Sequence, residues 1–138
     1  MSTTRTSPNG AIFYGNPRPY PISRAVRAGD FVITSALGDR IRTAGDDPFE
    51  AGDAAFETEA RGTLDAIAEA LALAGATLAD VVDCQVWLRD PADFALMNQI
   101  FVDYFGDTQP ARQVFQNEFM FAFRIEIKVM AYAPLARS

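Results

Sequence analysis

Histidine is absent from all 138 residues, and Cys84 and Lys128 are the only residues of their kinds. Without imidazole, Ser-His-Asp and Cys-His catalysis, imidazole zinc sites and the usual general base near neutral pH are all excluded. A lone cysteine cannot close an intrachain disulfide and suits a reducing compartment. A single lysine leaves one candidate for Schiff-base chemistry. Any reaction must therefore use Asp, Glu, Arg, Tyr, Ser, the backbone or bound water. No apolar run approaches the roughly 20 residues of a membrane span, and no membrane partner is expected. Met1–Ser7 carries only Arg5 and no apolar run follows it, so a secretory signal is not expected and the cytoplasm is the default location. A net charge of −6 argues against a nucleic acid as the main partner.

The apolar fraction of 49 % fits a globular chain, and the length fits one domain over residues 1–138 with an N-terminus, 1–10, that frays. Ala11–Tyr14 reads as a short strand, and the three prolines of Asn16–Pro21 as an extended lead-in. Arg24–Arg27 and Phe31–Ser35 bracket Ala28-Gly29-Asp30, a hairpin signal. Leu37–Asp53 reads as a loop with one short edge strand at Arg40–Arg42. Asp53–Ala74 is the clearest helix, with Phe56, Ala60, Thr63, Leu64, Ile67, Leu71 and Ala74 on one face, Asp53 as N-cap and Gly75 as stop. Val81–Leu88 reads as a strand with Val82, Cys84, Val86 and Leu88 on one side. Asp90-Pro91 opens a second helix whose core stripe is Phe94, Met97, Phe101 and Phe105, closed by Gly106. Two long strands follow, Arg112–Met120 and Arg124–Tyr132, joined around Met120–Phe123.

This order describes an α+β chain with one sheet and two helices on one face. In the last strand Ile125, Ile127, Val129 and Ala131 alternate with Arg124, Glu126, Lys128 and Met130, which places Glu126 on the face away from the helices. The strand before it carries large apolar groups on both sides. Two helices cannot cover both faces, so the second face is expected to meet another copy of the chain.

Five motifs, in order, are similar to those of the RidA/YjgF family of reactive-intermediate imine/enamine deaminases. They are Pro21-Ile22-Ser23-Arg24-Ala25-Val26, Val32-Ile33-Thr34-Ser35, Asp93-Phe94-Ala95-Leu96-Met97-Asn98, Pro110-Ala111-Arg112 and Ile125-Glu126-Ile127. The resemblance runs from about Pro21 to Ala131. It implies a chorismate-mutase-like single domain, a mixed sheet with two helices on one face, and a homotrimer with sites between subunits. It implies that Arg112 holds a substrate carboxylate and Glu126 orients the attacking water. Ser35 and Asn98 match polar residues lining the cleft. Ile22 stands where the family often has tyrosine, Val114 where it has cysteine, and Ser35-Ala36-Leu37 where Ser-Gly-Gln is common. Those positions bear on which substrate is taken.

The chemistry is coherent with the residue types. Arginine's planar fork binds a carboxylate through two hydrogen bonds and keeps its proton. A glutamate partly desolvated in a cleft is a weaker acid and can exchange a proton with water. The implied reaction is hydrolysis of small 2-imino or enamine acids to 2-keto acids and ammonia, and it requires no metal and no organic cofactor. Blander readings stay open: Arg112 as an interface ion pair with Glu118 or Glu126, Glu126 as one rung of a solvated ladder with Arg124 and Lys128, and Asn98 or Ser35 as ordinary satisfied polar groups. Cys84 reads as a small buried apolar group and Trp87 as packing on the opposite side. A non-catalytic small-carboxylate binder or regulator is the alternative function, and an endoribonuclease ranks below it.

Overall fold

Ile125, Ile127, Val129 and Ala131 are all buried, and Glu126, Lys128 and Met130 are half-buried on the other face, so the alternation of the last segment decides where the core lies. The computed structural model describes residues 4–15, 21–39, 49 and 54–135. The elements are β1 (Arg5–Thr6), β2 (Ile12–Tyr14), β3 (Ala25–Ala28), β4 (Phe31–Thr34), α1 (Phe56–Leu73), β5 (Val81–Leu88), α2 (Phe94–Phe105), β6 (Ala111–Gln116) and β7 (Ile125–Tyr132). They form one seven-stranded sheet in the order β1-β2-β3-β4-β7-β5-β6. Helix α1 lies across β3, β4 and β7, and α2 packs beside α1. Among the described residues no helix is long and apolar enough to cross a membrane.

Local chemistry explains the clearest elements. The β3–β4 hairpin turns at Gly29-Asp30, with Gly29 at φ +62°, a conformation that a residue lacking Cβ takes without steric cost. Helix α1 buries Phe56, Ala60, Thr63, Leu64, Ile67 and Leu71 at the 3–4 spacing of one face. Full burial of each large aliphatic side chain contributes roughly 2 kcal/mol. The helix ends at Gly75, φ +79°, where Ala76 N–H donates to Leu71 and Gly75 N–H to Ala72. Arg27, itself buried, caps the remaining carbonyl: its Nε and Nη2 donate to Ala74 O at 3.1 and 2.8 Å.

Several expectations are corrected. The last two strands, though consecutive in the chain, are not neighbours in the sheet, because β5 lies between them, antiparallel to β7 and parallel to β6. The crossover through α2 is long enough to return the chain parallel, and β5 then offers its free edge to β6. Strand β6 also ends at Gln116: Asn117 N–H makes the last rung of the parallel ladder, to Leu88 O at 2.8 Å, and the pairing with β5 stops there. Val82 is 43 % exposed instead of buried, since a register shift between Val81 and Asp83 gives Val81 the inward place. Phe94 is likewise exposed and not core. The chain after Asp90 first makes a 3-10 turn, Pro91–Asp93, in which Asp90 Oδ1 accepts from Ala92 N–H, and this delays the start of α2. The N-terminal segment does not fray throughout, for Arg5–Thr6 pairs with Ile12–Phe13. Ala55 occupies the N-cap of α1 without a side-chain bond; the expected cap Asp53 lies outside the described residues, as do the edge strand at Arg40–Arg42 and most of the proline-rich lead-in. Arg124 precedes β7 and turns toward the helices, where its N–H and Nε each donate to the fully buried Glu59 carboxylate at 2.8 Å.

The sheet face away from the helices carries Phe31, Ile33, Phe115 and Tyr132, each 39–44 % exposed. Phe31 and Tyr132 are cross-strand partners with ring centroids 5.3 Å apart.

Candidate functional site

Glu126 sits on β7 directly opposite Trp87 of β5, on the sheet face away from the helices. Such cross-strand neighbours place their side chains about 5 Å apart. Leu37 forms an isolated bridge to Ile127, exchanging N–H···O bonds of 2.9 and 3.0 Å, which holds the segment around Ala36 against this part of β7. The result is a cleft of about 220 Å³ lined by Ala36, Trp87, Asn117, Glu118, Phe119, Met120 and Glu126. Burial holds the Glu126 carboxyl above its ordinary value of 4.5, and no charged neighbour contributes. It makes no ion pair among the described residues, so the ladder with Arg124 and Lys128 does not form. A half-buried, weakly acidic carboxylate facing a cleft can take a proton from water and return it.

Arg112 belongs to a second cluster. It stands opposite Cys84 in the parallel β5–β6 pair, on the helix side of the sheet. Its Nη2 donates to Asn98 Oδ1 at 2.8 Å, and its guanidinium lies 4.9 Å from the Phe101 ring centroid and 5.8 Å from that of Phe94. The exposure of Phe94 thus has a use: it flanks a half-buried cation. Burial pushes the Cys84 thiol up to about 12 against the opposing pull of Arg112, so it is no nucleophile at neutral pH.

Within one chain the predicted residues therefore fall into two groups. Ala36 and Glu126 share the cleft, with Ser35 beside it; the Ser35 hydroxyl donates to Ser23 O at 2.6 Å and its N–H to Arg24 O. Arg112 and Asn98 share the cluster at α2. Val114, opposite Val86, packs its side chain against the core, and Ile22 is 40 % exposed ahead of β3. Sequence reasoning missed Trp87, Asn117, Glu118, Phe119 and Met120 as lining residues. Trp87 shares the outward parity of Glu126, which was a usable signal. Asn117–Met120 read as strand, so their loop placement left no local trace. Among the described residues no group of three or more His, Cys, Asp or Glu is gathered to hold a metal.

A family model described as Endoribonuclease L-PSP matches residues 18–133. A RutC family protein of Pyrococcus horikoshii is 34 % identical over 131 residues, covering 88 % of this chain and 95 % of that one. The 3-aminoacrylate deaminase RutC of Acinetobacter baylyi is 36 % identical over 103 residues, covering 74 % and 79 %. Among solved structures, a YjgF-family protein of Neisseria meningitidis superposes with a TM-score of 0.75 at 25 % identity, covering 93 % of this chain and 98 % of that one. The match over nearly the whole described sheet and both helices agrees with the motif order read in the sequence: the chain belongs to the YjgF/RidA family, the family described as Endoribonuclease L-PSP.

Proposed function

We propose that this protein hydrolyses small 2-imino or enamine acids to 2-keto acids and ammonia. The observation that carries the reading is Glu126, a carboxylate made less acidic by burial and directed into a cleft beside Trp87. A relative named as a 3-aminoacrylate deaminase, more than one-third identical, supports the reaction class.

In this reading an enamine first tautomerises to its imine, whose nitrogen takes a proton from solvent to give the iminium. Arg112 holds the carboxylate through the guanidinium N–H groups that Asn98 does not occupy. Glu126 accepts a proton from water as the water oxygen bonds to the iminium carbon, giving a neutral carbinolamine. The Glu126 carboxyl then returns its proton to the amine nitrogen, the C–N bond breaks, and ammonia leaves as the hydroxyl becomes a carbonyl and releases its proton to solvent. The reacting carbon is already electrophilic, so a sparse site suffices.

Arg112 and Glu126 occupy opposite faces of one sheet with β5 between them. A small substrate touches both only if the arginine comes from one subunit and the glutamate from a neighbour. We therefore assign the site to the boundary between copies in a homotrimer, a proposal supported by the apolar face around Phe31, Ile33, Phe115 and Tyr132. Ser35, Ala36, Ile22 and the Val114 backbone are assigned to the substrate-binding wall.

The test is ammonia release from a 2-imino acid generated in situ by an amino-acid oxidase. Arg112→Ala should abolish the enzymatic rate while the oligomer survives; wild-type rates in that variant would refute the assignment. The second reading, a non-catalytic carboxylate binder, draws on the distance of Arg112 from the cleft within one chain. Carboxylate binding lost in Arg112→Ala, without turnover of any imine, selects it.

A further inference from the structure

The cleft beside Glu126 is built for more than three carbons. Trp87, the chain's single tryptophan, forms one wall, and its ring is held by stacking on Phe115 at 5.9 Å and 22°. Phe119 also lines the cleft, and its ring is held by Arg89. Arg89 lies over its ring at 5.5 Å and donates Nη2 to Phe121 O at 2.9 Å. Gln116 Nε2 in turn donates to Arg89 O at 2.9 Å, and Asn117 N–H to Leu88 O. The loop carrying Phe119 is thus tied to the end of β5 at three points, so the wall is preorganised. Met120, 76 % exposed at the rim, is an unbranched thioether able to fold over a bound group.

The polar lining sharpens the assignment. Glu118 and Glu126 bring two carboxylates to the cleft, and no Arg or Lys lines it. A substrate carboxylate is repelled there, whereas the iminium nitrogen is attracted, so the anionic end must point away. What remains to meet Trp87, Phe119 and Met120 is the side chain on the reacting carbon. A three-carbon imine offers one methyl or methylene, which leaves most of that apolar surface wet. A branched or aromatic side chain covers it and gains the burial free energy.

We propose that Trp87, Phe119 and Met120 form a side-chain pocket that makes this protein select 2-imino acids with branched or aromatic apolar side chains over three-carbon ones. The proposal rests on the deaminase reading for its kinetics, but its binding prediction stands apart from turnover.

Two measurements on the intact oligomer separate them. In calorimetric titrations with propanoate, 4-methylpentanoate and 3-phenylpropanoate, the two larger acids should bind at least ~10-fold more tightly. Met120→Ala, at an exposed position that leaves the fold intact, should cut that ratio about threefold, and Phe119→Ala should cut it further. In the coupled assay, kcat/KM for the imines of leucine and phenylalanine should exceed that for the alanine imine by a similar factor, and the variants should lose rate on the large imines selectively. Size-selective binding without turnover upholds the pocket and refutes the deaminase reading. Turnover of the alanine imine equal to or faster than the others refutes the pocket and leaves the deaminase. No binding and no turnover refutes both.

Discussion

Arg112 and Glu126 face opposite sides of one sheet, with β5 interposed, and no side-chain motion within a single chain brings both onto one small molecule. Activity should therefore require assembly. Ile33 is 40 % exposed on the face away from the helices and pairs with Met130, outside either cluster. Ile33→Asp should yield a folded monomer by light scattering and circular dichroism, with ammonia release lost. A fully active monomer would show that one chain suffices.

Glu126 links stability to pH in a definite direction. Burial alone raises its carboxyl above 4.5, so folding favours the protonated form. The stability this group contributes is fully present below pH 4.5 and is lost as pH rises through the raised value. Above that value the ionised carboxylate opposes folding. Glu126→Gln should raise Tm there by about 3 °C, the gain should vanish below about pH 4.5, and catalysis should be lost. Wild-type rates should fall on acidification through the raised pKa, since in the proposed mechanism the ionised form handles the water. Thermal melts and pH–rate profiles check both halves.

Glu59 is fully buried on α1 and accepts from Arg124 N–H and Nε, both at 2.8 Å. This pair fixes the entry to β7 two residues before Glu126. Glu59→Ala leaves a guanidinium beneath the helix without its carboxylate, and should cost about 3 kcal/mol in urea denaturation. The double variant Glu59→Leu with Arg124→Met should recover most of that loss, because paired apolar replacements remove both desolvation penalties together.

Local rules made much of the fold legible. The glycine turn at Gly29, the apolar face of α1 and the alternation from Ile125 to Ala131 each depend on residues close in sequence, and each stands in the structure as read, Arg124 ahead of β7 excepted. Strand order depends on which edge of β5 is free after α2 returns, a tertiary question that the β6 and β7 sequences do not pose separately. A single bulge after Val81 reversed the expected side of Val82, because strand parity survives only where the ladder is unbroken. The site divided in the same way. The outward placement of Glu126 was legible from alternation, and the candidacy of Arg112 came from its motif. The walls of the cleft were hidden because Phe119 and Met120 continue an apolar pattern that reads as strand, whereas the ladder with β5 stops at Gln116 and they lie in the loop beyond it. Phe94 shows the converse: it keeps helical spacing with Phe101 yet serves Arg112 at the surface.

Subunit mixing tests most directly whether Arg112 and Glu126 act together across a boundary. Arg112→Ala and Glu126→Gln oligomers, each inactive alone, are unfolded together at equal concentration and refolded. Random pairing restores both residues to about one boundary in four, so ammonia release should return to about a quarter of the wild-type rate. Refolded mixed oligomers that stay inactive would contradict a shared site, and with it the roles assigned to both residues.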